Sequence, residues 1–166
     1  MLDSPPGLDD LSEGVLLIGE ATAWRDHRAL GEGMFRAAAR GVPVLCLAPG
    51  EGSTELPGAA ETDLPQPDAM SFHRGDFIRE FDKRLDADWP EEEKTIAGRL
   101  SVQSDRGRVV VAATQDKRDW AWLDVRFPHP HGRLLVCGLP IMRQWEARPT
   151  PRYLLSDLLE KLSPAK

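Results

Sequence analysis

The side chains able to do chemistry in this chain are few, and their neighbours decide what each can do. The two cysteines, Cys46 and Cys137, sit in the apolar runs Val44-Leu45-Cys46-Leu47 and Leu135-Val136-Cys137-Gly138. A thiol attacks only as an accessible thiolate. Inside such runs it behaves as a small hydrophobe, and a disulfide framework is not expected. Glu20 and Glu51 each lie just beyond an apolar run, with Thr22 and Ser53 two residues further on. These four are the candidate ligand-binding residues. The carboxylates could form an acid–base pair or accept from ligand hydroxyls, against the plainer reading of solvated loop acids with no partner base.

Three other patterns carry less. Pro49-Gly50-Glu51-Gly52-Ser53 has the glycines of an anion cradle, but Pro57, Pro65 and Pro67 follow where a phosphate-binding helix should start. His129 and His131 would share a face on a regular strand, as metal ligands do, yet Pro128, Pro130 and Gly132 make the segment a turn. His27 and His73 lie far off, and no Cys or acidic residue keeps metal-site spacing. Trp120 and Trp122 share a strand face and read as packing aromatics before a stacking surface. No cofactor and no metal are implied.

These residues depend on the elements that carry them. Gly14-Val15-Leu16-Leu17-Ile18-Gly19 is a continuous apolar run between glycines, the pattern of a strand buried on both faces. Asp26 can cap a helix over about 27–40, with Leu30, Met34, Phe35 and Ala38 at helical spacing and Gly41 at its end. Val42 to Ala48 is a second strand, completing a βαβ unit. Ligands of such open sheets bind beyond the carboxyl ends of the strands, where Glu20, Thr22, Glu51 and Ser53 fall. Residues 49–71, rich in Pro and Gly, read as a long irregular loop. Phe77, Ile78, Phe81 and Leu85 predict a helix over 72–89, with Asp76, Arg79, Asp82, Arg84 and Asp86 on its outer side. Strands follow at 99–103 and 108–113 around a hairpin turn, then at 120–127 and 133–138, the last two antiparallel across a short loop. Thr150 is placed to cap a closing helix with Pro151 at its first position and Leu154, Leu155, Leu158, Leu159 and Leu162 as its apolar stripe.

Composition bounds the class. The 166 residues suffice for one ordinary domain, and 14 glycines with 14 prolines point to abundant loop. A net charge of −6 argues against a nucleic-acid partner. No apolar stretch is long enough to span a membrane, and residues 1–10 carry no secretory leader pattern.

The opening strand, the Ala-rich helix ending Ala39-Arg40-Gly41, and Val42 to Ala48 followed by Pro49-Gly50 resemble the class I glutamine amidotransferase-like superfamily. So does the ending, Gly132 to Leu139 followed by Pro149-Thr150-Pro151-Arg152-Tyr153-Leu154-Leu155. The resemblance implies a flavodoxin-like three-layer α/β/α sandwich, with a parallel core sheet and an antiparallel extension from the C-terminal strands. Enzymes of that family place a nucleophilic cysteine on a sharp elbow between glycines. Cys46 runs on into Leu47-Ala48-Pro49, and Cys137 is preceded by Leu135-Val136, so neither forms one.

The chain is therefore read as residues 1–12, a linker-like segment, and 13–166, one α/β domain without amidotransferase chemistry, within a larger bacterial protein whose compartment stays open. Its expected role is structure, contact with other domains of its chain or a second copy, or binding of a small ligand. The alternatives are a hydrolase using a carboxylate at the strand ends and a nucleotide or flavin binder.

Overall fold

The computed structural model describes residues 8–23, 28–48, 65–74, 84, 88, 100–104, 107–111 and 120–163. Seven strands and two helices lie among them. They are β1 (Leu16–Ile18), α1 (Arg28–Ala39), β2 (Val44–Cys46), β3 (Ala69–Arg74), β4 (Leu100–Ser104), β5 (Gly107–Val111), β6 (Trp120–Arg126), β7 (Arg133–Cys137) and α2 (Pro149–Leu162). The architecture is α/β. A five-stranded mixed sheet has the order β1-β2-β7-β6-β3, and β4 and β5 form a separate antiparallel hairpin.

β1, β2 and β7 run parallel, with Leu17 beside Leu45 and Leu45 beside Leu135. β6 pairs antiparallel with β7, as the short 128–132 loop requires, and β3 pairs antiparallel with β6. The antiparallel extension is thus β6 with β3, whereas the last strand, β7, belongs to the parallel part.

Strand alternation divides the core in two. Val44, Cys46, Leu134, Val136, Leu123 and Val125 turn to one face and pack with Leu30, Met34, Phe35, Ala37 and Ala38 of α1. Leu45, Leu47, Leu135 and Cys137 turn to the other and pack with Leu154, Leu158 and Leu162 of α2. β2 is apolar at every position, and β7 at every position after Arg133, because both of their faces are covered there. Each fully buried leucine of this kind contributes about 2 kcal/mol.

β1 departs from the expectation. It is the edge strand among the described residues, and Leu17 is exposed, so the run is not buried on both faces. Its sequence matches the buried strands, but α2 lies over β2 and β7 and leaves β1 bare on that side.

Other elements shift in register. The 49–71 loop ends before Ala69, where β3 begins, and β3 takes Phe72, His73 and Arg74 from the helix expected to start at 72. Arg84 and Asp88 are helical; the remainder of that helix, the Asp26 cap and residues 49–64 lie outside the described residues. Gly41 ends α1 with φ +98°, a conformation that side chains other than glycine rarely adopt. α2 begins two residues earlier than expected. Arg148 is its N-cap and Pro149 opens the helix, while Thr150 is buried inside the first turn. The missing cap acceptor comes from Asp88, whose Oδ2 accepts the Thr150 hydroxyl at 2.8 Å and its backbone N–H at 3.4 Å.

Candidate functional site

The place to look is the carboxyl end of the parallel strands, where the chain leaves β1, β2 and β7. β1 exits through Gly19 into Glu20 and Ala21. The Leu47 N–H donates to the Ile18 carbonyl at 3.0 Å, and the Ala21 N–H to the Ala48 carbonyl at 2.8 Å. These two bonds carry the β1–β2 pairing past the strands. They hold Ala21 at φ +64°, in the left-handed region. The Thr22 hydroxyl closes the turn by donating to the Gly19 carbonyl at 2.9 Å. Glu20 is half-buried, and its Oε2 accepts the Met142 backbone N–H at 2.6 Å.

β7 exits through Gly138-Leu139-Pro140 into consecutive turns over 141–147. The Ile141 N–H donates to the Leu139 carbonyl at 2.8 Å and the Gln144 N–H to the Pro140 carbonyl at 3.3 Å. Arg152 closes the far side: its Nε donates to the Trp145 carbonyl at 2.7 Å, and its guanidinium lies 5.7 Å from the Trp145 ring centroid. Glu20 therefore ties the β1 exit to the β7 exit.

Both thiols lie just inside this end of the sheet and are wholly buried. Burial pushes the Cys137 thiol up to about 12; the Leu139 backbone N–H pulls it down somewhat and the Glu20 carboxylate pushes it further up. Burial raises the Cys46 thiol as well, and the Cys137 sulfur adds to the effect. Neither is a thiolate at neutral pH, and neither is reachable.

Of the four candidate ligands, Glu20 and Thr22 come together at the β1 exit, but each already bonds the protein backbone. Glu51 and Ser53, with the rest of Pro49-Gly50-Glu51-Gly52-Ser53, lie outside the described residues. The histidine pair is indeed a turn. His129 packs against Gly41 at the end of α1, and Gly132 leads into β7, so the pair sits at the amino end of β2 and β7, away from Glu20. The rings of His129 and His131 are 6.0 Å apart. Backbone pairing puts His73 opposite Trp122, and Trp122 opposite Cys137. The side chains of His73, Trp120 and Trp122 lie outside the described residues, as does His27. Among the described residues no group of three or more His, Cys, Asp or Glu is placed to hold a metal ion, and no helix is long and apolar enough to cross a membrane.

One polar cluster escaped the residue-by-residue reading. Asp124 is buried on the α2 side of β6. It receives Arg133 in a two-pronged bond, Nε to Oδ1 at 2.9 Å and Nη2 to Oδ2 at 2.8 Å, with Arg126 Nη2 at 3.3 Å. Arg133 also donates to the Lys161 carbonyl, an open acceptor in the last turn of α2. The available signal was the alternation Leu123-Asp124-Val125-Arg126-Phe127, which puts charges at each position facing away from the α1 core.

Comparison of the chain with models of protein families, with curated proteins and with solved structures finds no match.

Proposed function

We propose that this chain is a non-catalytic domain of the class I glutamine amidotransferase-like type, with the flavodoxin-like three-layer arrangement, whose strand ends and edges serve contact with a partner or a small ligand. The observation that supports this best is the placement of both sulfhydryls within β2 and β7. Amidotransfer by that family needs a thiolate on an exposed elbow, served by an imidazole. Here Cys46 and Cys137 are wholly buried at the last positions of β2 and β7 with raised pKa values, and Glu20 is occupied by the Met142 N–H. A mixed sheet whose parallel strands β2 and β7 bear α1 on one face and α2 on the other is consistent with the layered fold.

Two measurements on the intact chain test this reading. Ammonia release from glutamine should equal the buffer background. Thermal unfolding should be followed with nucleotides, flavins and sugars present, because a ligand preferring the native state raises its stability. A shift with a sugar or nucleotide would identify a binding role, and no shift with any of them would favour partner contact. Glutamine turnover that disappears in a Cys46→Ala or Cys137→Ala variant would refute the proposal.

A further inference from the structure

We infer that β1 is a docking edge for an extended strand of a partner chain, apolar at alternating positions and carrying lysine or arginine at its ends. This rests on the partner-contact reading above and names the partner's chemistry.

The backbone supplies the first argument. The Leu16 N–H donates to the Pro43 carbonyl at 2.9 Å, and the Ile18 carbonyl accepts from Leu47 at 3.0 Å. On a parallel strand the residue between them turns its N–H and C=O the other way. Leu17 thus points both groups off the edge of the sheet, and among the described residues no strand lies beyond β1.

The side chains supply the second. Val15 and Leu17 are 47% and 53% exposed, both on the face that carries the α2 core in β2. Natural edges are blunted with lysine, proline, bulges or inward charges. Gly14-Val15-Leu16-Leu17-Ile18-Gly19 has none of these devices. A strand added at this edge would pair with the Leu17 backbone and set its own apolar side chains beside Val15 and Leu17 on the exposed face.

Charge selects the occupant. The edge is bracketed by Glu13 and Glu20, with exposed Asp9 and Asp10 preceding it. In a second copy pairing antiparallel about Leu17, Glu20 of each copy would fall beside Gly14 and Glu13 of the other, bringing like charges together at both ends of the ladder. Like charges opposed across strands are destabilising. A partner strand with basic ends meets these carboxylates favourably in either direction.

The test is amide NMR on the labelled full chain. The probe is a short peptide alternating valine and threonine between two terminal lysines. Saturable binding is expected, with shifts concentrated at Val15–Ile18. The same peptide ended in glutamate should bind about tenfold more weakly. N-methylation of its alternate amides should remove binding, and so should Leu17→Lys, an exposed substitution whose variant should unfold at the same temperature as the parent. The inference is overturned if the lysine peptide leaves residues 15–18 unmoved, or if both charge forms bind alike. It is equally overturned if those amides shift with protein concentration alone as the chain dimerises. Its failure would leave the non-catalytic reading intact, since that is read separately from glutamine turnover.

Discussion

The Glu20 carboxylate accepts the backbone N–H of Met142 at 2.6 Å, joining the loop after the first strand to the loop after the last. These exits lie at the end of the sheet where an α/β domain would form a ligand crevice. The carboxylate that could have served a ligand instead holds the two exits together. Glu20→Ala should lower stability by about 1 kcal/mol, the ordinary worth of such a bond, in urea unfolding. The Met142 amide should exchange faster with solvent. Glu20→Gln, whose carbonyl can still accept, should recover part of both effects.

Asp124 lies within the sheet, paired across to β7. Its buried carboxylate is matched by Arg133, which also reaches the end of α2. Asp124→Ala leaves a half-buried guanidinium without its counter-ion and should cost about 3 kcal/mol. Replacing both residues, Asp124→Leu with Arg133→Met, should recover much of that loss. Equal destabilisation by the single and the double variant in denaturant titrations would count against the pair as the source.

Ala21 holds a backbone conformation that suits glycine, φ +64°. Ala21→Gly should raise stability by about 0.5 kcal/mol, because relief of the left-handed strain outweighs the extra freedom of the unfolded chain. Gly41 makes the converse case. A Cβ there would meet the His129 ring at 2.3 Å at a φ of +98°. Gly41→Ala should therefore lower the melting temperature, and His129→Ala in the same chain should restore only part of it, since the backbone strain remains.

Much of the frame is legible in the sequence, for identifiable reasons. β2, α1 and β7 are covered on the faces their apolar residues predict, so local pattern and tertiary environment agree. The 128–132 turn carries its own prolines and glycine, and antiparallel β6 and β7 follow from it. β1 differs from its pattern because burial on both faces depends on what the rest of the chain places above it, which a six-residue run does not encode. The spacing of Phe72 to downstream apolar residues suits a helix. Pairing with Leu123 places it in a strand instead, a tertiary contact overriding a local period. The site was less legible still. Glu20 was identifiable from its position after a strand, but its partner is a backbone N–H far along the chain. The Asp88 carboxylate that accepts from Thr150 at the start of α2 is equally non-local.

The buried thiols also set a dependence on pH. Cys137 is raised from its ordinary value near 9 to about 12 in the folded chain, chiefly by burial. Between those values the native state keeps a proton that the unfolded state has released, so stability is complete below about pH 9 and falls as pH rises toward 12. Cys46 is displaced in the same direction. Denaturant midpoints of the parent should decline more steeply over this range than those of a Cys46→Ala, Cys137→Ala double variant.

The central claim is that neither sulfhydryl is presented for attack, and native-state labelling with a mild thiol reagent at neutral pH tests it most directly. The account predicts that Cys46 and Cys137 react only as fast as the chain unfolds, with both labelling promptly once urea is added. Rapid stoichiometric modification of either cysteine in the folded protein would contradict it.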